Sequence, residues 1–416
     1  MNTIFGGRVR VLDLSMGWAG PLAGQMFTEM GAEVIKVEDT HHFDWWRGSL
    51  SMAPPEMQPI ERAAVFNTAN RGKRGVTLDL ASARGIEILK RLVKISDILV
   101  ENFSPGVMDR LGLGYDSVSA INPRLIMISM PSFGGDGPEC NARGYGNTVE
   151  AMAGVTGLTG YHDGAGQHYT LSNALGDPVA GLHAVFALMM ALREREDTGR
   201  GQFIELAQVE SLIPFVGGAI LEYQFTGMVP RPRGNRHREH APHGIYRCAG
   251  DDNWIALACE TDDQWRSLAA ALGMARLAED RRFEDASARK ANEDALDAEL
   301  SSALAPLNAD DCAARLRDAG VLAAPVNSAA AVMADPQIQS REYFVAIERA
   351  VVGTHLYPGA VARIPDTPLR ADAPAPLLGE HNRQVLAETL GMTDEEIAEL
   401  ERSGVIGSSP RQYRAA

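Results

Sequence analysis

Residues 9–38 read VRVLDLSMGWAGPLAGQMFTEMGAEVIKVE. Residues 9–14 form a short apolar run with the length of a strand. Residues 21–30 carry apolar side chains at helical spacing, and Gly31 stops the pattern. Residues 33–37 alternate as a second strand. The stretch is therefore a strand–helix–strand unit. Working outward, residues 77–80 read as a third strand. Residues 83–95 follow as a helix burying Ile86, Ile88, Leu89, Leu92 and Val93, and residues 98–101 and 125–129 as two more strands. Strands alternating with helices predict an α/β fold with a largely parallel sheet covered on both faces. The first turn is not a dinucleotide fingerprint. Gly17, Gly20 and Gly24 lack the GxGxxG spacing, and Glu38 at a strand end is commonplace.

Residues 178–194 are the clearest helix, with Val179, Leu182, Val185, Phe186, Met189 and Leu192 three and four apart. The turn Thr198-Gly199-Arg200-Gly201 leads to a short strand at 204–206 and a helix at 209–215. Residues 227–239 are basic and rich in Pro and Gly, as a linker or exposed loop is. A hairpin (244–248 with 254–258) and helices at 262–272, 292–304 and 310–319 then suggest a smaller mixed domain. Five prolines between 358 and 376 predict an extended tail that wraps a neighbour. Thr393, with Glu396 as its capping-box partner, opens a last helix.

At 416 residues the chain exceeds one ordinary core, so two domains are expected. A net charge of −15 repels nucleic acid and anionic membranes. It leaves room for an anionic substrate where cations cluster, as they do at 71–74 and 231–238. Cys140, Cys248, Cys259 and Cys312 show no CxxC spacing. The first residues lack the apolar run of a signal peptide, and no run of eighteen apolar residues occurs. A reducing cytoplasm fits these features.

Few residues invite chemistry. Asp177 precedes Pro178, which favours the first helical position, so Asp177 is expected to cap the long helix. Its loss would then cost roughly 1 kcal/mol. The same placement puts a carboxylate beside helix-end donors, with Gly176 and Gly181 leaving space for a ligand. Asn70-Arg71-Gly72-Lys73-Arg74 packs three cations into a turn, as a phosphate site or a solvated surface does. Residues 101–106 follow a strand, where open α/β sheets place ligand loops, and Arg110 is near enough in sequence to join them. His237, His240 and His243 sit three apart in a loop without a supporting carboxylate motif, so no metal is expected. No GxSxG elbow is present. Trp45, Trp46, Met52 and Tyr145 hint at a partly apolar pocket.

Taken in order, these segments resemble the class III CoA-transferases, the family of formyl-CoA transferase, carnitine CoA-transferase and α-methylacyl-CoA racemase. The resemblance spans essentially the whole chain. Its carriers are Val11-Leu12-Asp13 with Ala19-Gly20-Pro21, the run from Gly31 to Glu38, Asn70-Arg71-Gly72-Lys73-Arg74 with Leu78-Asp79-Leu80, and Val100-Glu101-Asn102-Phe103. Gly176-Asp177, Thr198-Gly199-Arg200-Gly201-Gln202, Gly234-Asn235-Arg236 and Leu378-Gly379-Glu380-His381 complete the set.

The resemblance implies an interlocked homodimer. Each chain has a Rossmann-like large domain at 1–205, completed by 386–416, a linker at 206–231, a small α+β domain at 232–333 and an extended return linker at 334–385. It implies Asp177 as a nucleophile forming an aspartyl anhydride and then an aspartyl-CoA thioester. Coenzyme A is a substrate, with no permanently bound cofactor and no metal. CoA is expected near Met16, Gly17, Trp18, Arg71, Lys73, Asn102, Phe103, Arg110 and Tyr145. Two departures argue against formyl-CoA. Asp39 and Thr40 stand where formyl-CoA transferase carries a basic residue, and its Gly-rich active-site loop has no counterpart. Tyr145 stands where the racemases place a catalytic His, and a neutral Tyr is a poor base. An acyl-CoA racemase is therefore the second reading. A non-catalytic subunit of a heteromeric transferase is the third.

Overall fold

The computed structural model describes residues 3–48, 60–162, 168–169 and 174–411. Met52 lies outside them. The larger unit comprises residues 1–155, 170–221 and 337–416, the smaller one 156–169 and 222–336.

Six parallel strands organise the larger unit: β1 (Arg10–Asp13), β2 (Glu33–Glu38), β3 (Arg74–Thr77), β4 (Ile98–Glu101), β5 (Ile126–Ser129) and β6 (Phe203–Glu205), in the order β3-β2-β1-β4-β5-β6. The chain builds outward from β1 in one direction, then restarts at β4 in the other. The β1/β4 boundary is thus a topological switch point, where the loops leaving the two strands diverge and open a crevice. β2 does not alternate as the sequence suggested. Val34 to Glu38 are all buried, because both faces of a parallel sheet are covered.

Six helices matter for the site: α1 (Ala19–Glu29), α2 (Ala64–Ala69), α3 (Ala83–Lys94), α4 (Gly146–Met152), α5 (Gly176–Thr198) and α6 (Gln208–Leu212). On one face of the sheet α1 and α5 pack closely through Ala19, Ala23, Ala180 and Ala184. A Cβ at Gly181 would lie 2.7 Å from the Ala19 carbonyl oxygen, so that glycine serves helix packing, not ligand access. On the other face, Ile88, Leu89, Leu92 and Val93 of α3 join Val385, Leu386, Ile397, Leu400 and Ile406 from the end of the chain. The C-terminal helix Asp394–Ser403 has the expected Thr393/Glu396 capping box.

Three expectations shift. The third strand is Arg74–Thr77, because Leu78 gives the last bond to β2 (to the Glu38 carbonyl) and Asp79 N–H turns to Val405. The 206–231 stretch is largely helical, with α6, a 3-10 turn (Ile213–Val216) and a helix at Gly217–Thr226. The 334–385 tail is not wholly extended. Phe344–Arg349 and Gly353–Pro358 form an antiparallel hairpin, and Arg349 bonds the Ala375 and Pro376 carbonyls.

The smaller unit has a three-stranded antiparallel sheet, His243–Arg247, Trp254–Ala258 and Leu322–Pro325. Trp265, Phe283, Leu296 and Leu300 fill its core. Among the described residues no helix is long and apolar enough to cross a membrane.

An ionic network lies beneath the C-terminal edge of the large sheet. Lys36 on β2 donates to Asp44 (3.0 Å) and to the Ser15 carbonyl. Lys73 donates to Asp13 on β1 (2.7 Å), to the Pro21 carbonyl and to Asn70. Arg47 forks onto Glu38 and reaches Glu61, with Phe66 stacked 3.6 Å beneath it. Both lysines, Asp13 and Asp44 have no exposed side-chain surface. Burial outweighs the attraction of Asp13 and brings Lys73 down to about 8, while the carboxylates around Lys36 hold it above its usual range. Removing one partner from such a group strands the other. Lys36→Met is therefore expected to cost about 3–5 kcal/mol in urea unfolding, and a loss below about 1 kcal/mol would contradict a structural role for the network.

Candidate active site

The cavity that contains Asp177 holds about 760 Å³ and lies entirely within the larger unit. Met16 and Trp18 come from the loop after β1, Trp45 and Trp46 from that after β2, Asn102 and Phe103 from that after β4, and Ser132 from that after β5. Its walls are thus the C-terminal loops of the parallel sheet around the switch point. α2 supplies Ala64, Val65 and Thr68, and α6 supplies Gln208.

The network below fixes these walls. Asp44 accepts from the N–H groups of Gly17 (3.1 Å) and Trp46 (3.0 Å), tying the β1 and β2 loops to Lys36. Asn102 makes two bonds to the Met16 backbone, both 2.8 Å, and so joins the β4 loop to the β1 loop. Gly17 has φ +77°, and a Cβ there would lie 2.7 Å from the Trp45 ring, so only glycine lets that ring pack so closely. The rings then run on as a wall. Trp18 meets Trp46 at 5.4 Å, Trp46 meets Trp45 edge-on at 5.9 Å, and Trp45 meets Tyr145 edge-on at 6.0 Å. Tyr145 is 64% exposed, a large ring presented to the cavity rather than to a core.

Asp177 enters from the first turn of α5. It is not the N-cap. The helix starts at Gly176 with Leu175 as cap, Asp177 N–H bonds the Ala174 carbonyl, and Val179 N–H bonds that of Leu175. Asp177 therefore lies inside the first turn rather than at its cap. A Cβ at Gly146 would lie 2.6 Å from Asp177 Oδ2, so Gly146 makes room for the carboxylate. Gly176 faces Val149 and Leu212, in the contact of α5 with α4 and α6. Burial, followed by the nearby Glu150, pushes Asp177 up to about 6. Above pH 7 the group is still mainly ionised and is a more basic carboxylate than usual.

Other expected site residues lie elsewhere. Lys73 is buried against Asp13, and Arg71 is turned to the Ala371 carbonyl and Glu29. Arg110 is exposed at the end of a short helix (Val107–Arg110) and does not line this cavity, nor does Gly17. Among the described residues lining the cavity, none is Lys, Arg or His. Sequence reasoning missed Ser132, Asn147, Gln208 and Glu150. Glu150 did leave a signal, as the one charged residue in the stretch 144–155. In the smaller unit, the His237 and His240 rings stack at 4.4 Å, and His237 Nδ1 accepts backbone N–H groups of Glu239 and His240.

The raised Asp177 has a stability consequence. Between about pH 4 and 6 the folded chain keeps a proton that the unfolded chain has lost, so stability falls as pH rises through that window. Asp177→Asn removes the penalty. It is expected to stabilise the protein by about 1–3 kcal/mol at pH 8 and by nothing measurable near pH 3.5. Thermal unfolding at the two pH values reads this, and destabilisation at pH 8 would contradict it.

Comparison with known proteins agrees with the motif pattern. The sequence profile of CoA-transferase family III matches residues 8–382. The chain is 32% identical over 402 residues to succinyl-CoA–D-citramalate CoA-transferase of Chloroflexus aurantiacus, covering 96% of this chain and 97% of that protein. It is 35% identical over 386 residues to succinate–glutarate CoA-transferase of Agrobacterium fabrum, covering 91% and 94%. A crystal structure of a CaiB/BaiF family protein from Brucella suis superposes with a TM-score of 0.84 at 36% identity, covering 93% of this chain and all of that one. The chain belongs to CoA-transferase family III and is an acyl-CoA:carboxylate CoA-transferase.

Proposed function

We propose that this enzyme moves CoA between two carboxylic acids through covalent intermediates on Asp177. The observation that carries the reading is a partly buried carboxylate in the first turn of α5, presented to a cavity at the switch point of the sheet. An Asp177 oxygen attacks the acyl-CoA carbonyl, the carbon–sulfur bond breaks, and CoA leaves as its thiolate, giving a mixed anhydride. The thiolate then attacks the aspartyl carbonyl and releases the donor acid, leaving an aspartyl-CoA thioester. The acceptor carboxylate attacks that thioester and displaces the thiolate again. Attack of the thiolate on the acceptor carbonyl finally frees Asp177 and the new acyl-CoA. Each step exchanges one activated acyl bond for another, so no nucleotide hydrolysis is needed. The anhydrides are hydrolysable, and the aromatic wall from Trp18 to Tyr145 helps keep water from them.

For CoA itself we propose Met16, Trp18, Asn102, Phe103 and Tyr145 as contacts, since all five line the cavity. Succinyl-CoA is the proposed donor, because the two relatives above are named for succinyl or succinate transfer.

The enzyme is proposed to act as a homodimer. Leu182, Phe186 and Met190 form a four-spaced row on α5, each more than half exposed. A row of large apolar residues on one helix face is a surface that a second copy of the chain covers. Asp177→Ala is expected to lose succinyl-CoA-dependent transfer by at least about 10³-fold while sedimenting, like the parent, at twice 44.8 kDa. Substantial transfer by that variant overturns the mechanism. Sedimentation at the mass of one chain overturns the dimer.

A further inference from the structure

Glu150 has no exposed surface, yet it is the one charged residue of the short helix α4, next to the buried Val149. A buried carboxyl group is costly unless something requires it. Its Oε1 accepts the backbone N–H of Leu175 at 2.5 Å. Leu175 is the cap of α5, two residues before Asp177, so this bond ties α4 to the backbone that carries the reacting side chain. Gly146, one turn earlier on α4, closes against Asp177 Oδ2 and Ala174. The start of α5 is therefore held by α4 at two points, one of them a second carboxyl group.

We propose that Glu150 is a positioning residue for Asp177: it clamps the start of α5 and sets a second buried carboxylate beside the reacting one, favouring the acylated forms of Asp177 over the free form. The inference rests on the nucleophile reading above. Free Asp177 carries a negative charge, which a neighbouring carboxylate disfavours. In the anhydride and in the CoA thioester the Asp177 carbonyl is neutral, and the repulsion is gone. Glu150 thus raises the energy of the resting carboxylate relative to both intermediates, and makes it more basic and more nucleophilic. The direction in which Asp177 is shifted agrees, with burial as its first cause and Glu150 as its second.

Other ionisable groups do not supply this effect. α4 carries none besides Glu150, α6 only the exposed Glu210, and β5 none. On α1 the first is Glu29, at the far end. On α5 the next is His183, whose Nδ1 is 2.9 Å from the Val179 carbonyl oxygen. Tyr145 shares the cavity.

Glu150→Gln keeps an oxygen for the Leu175 N–H and removes the charge, whereas Glu150→Ala removes both. Two readouts on the full-length protein separate the roles. The first is a ¹³C-carboxyl NMR titration of Asp177, assigned against Asp177→Asn. It needs no turnover, so it tests the pairing even where the nucleophile reading fails. The second is the pH profile of kcat and KM for succinyl-CoA. Glu150→Gln is expected to lower the Asp177 midpoint by about half a unit or more, and to lower kcat about tenfold with little change in KM. Glu150→Ala is expected to lose more, with Gln restoring part of it. An unchanged Asp177 midpoint in Glu150→Gln overturns the proposal, as does unchanged kcat in that variant. Should Glu150→Ala fail to fold, Glu150→Gln decides alone. A shifted midpoint together with an active Asp177→Ala would mean that the pairing is real and the nucleophile reading is wrong.

Discussion

The buried contact of Lys36 with Asp44 and the Ser15 carbonyl underlies the rest of the large unit. Two lysines and two aspartates without exposed side-chain surface meet where β1, β2 and the turn before β3 converge. Ions so deeply buried persist only when each is paired in good geometry. Here the pairing fixes loops. Asp44 holds Gly17 and Trp46 by their backbone N–H groups, Lys73 holds the start of α1 at Pro21, and Arg47 holds the returning tail at Pro376. The aromatic wall of the cavity stands on these three anchors.

Above that charge-paired foundation the cavity itself is electrostatically spare. Among its described lining residues Asp177 is the one formal charge. The positive groups that the sequence places nearest, Arg71 and Lys73, neutralise the protein's own carboxylates. A carboxylate with no cation against it and a second carboxyl group close by keeps its basicity, which suits a nucleophile better than a salt-bridged aspartate would be suited. The same features make it a destabilising group in the resting fold, a frequent property of reactive sites.

Much of the fold was legible because local signals and burial agreed. The strand–helix–strand start, the helix that begins at Ala83 and the Thr393 capping box each follow from residues within one or two turns of one another. Where local signals competed with distant partners, the reading slipped. Thr77-Leu78-Asp79-Leu80 alternates like a strand, but the backbone of Asp79 is claimed by Val405, more than three hundred residues on. Pro178 pointed to a helix start at its own position, whereas the backbone of Ala174 and Leu175 lets α5 begin at Gly176. The cations at 71–74 are as compatible with a phosphate as with buried acids. The pairing of Lys73 with Asp13 becomes visible only in the fold, which brings β1 beneath that turn. Asp177 is legible as a carboxylate at a helix start and, through the family resemblance, as a nucleophile, whereas Glu150 belongs to no motif. Its meaning depends on the packing of α4 against the start of α5.

The most direct test of the account is intact-protein mass spectrometry of the purified chain after mixing with succinyl-CoA, followed by hydroxylamine or borohydride trapping and peptide mapping. The account predicts a trapped adduct on the peptide containing Asp177, absent from Asp177→Ala. Transfer of CoA with no adduct at Asp177, or an adduct at another residue, would contradict it.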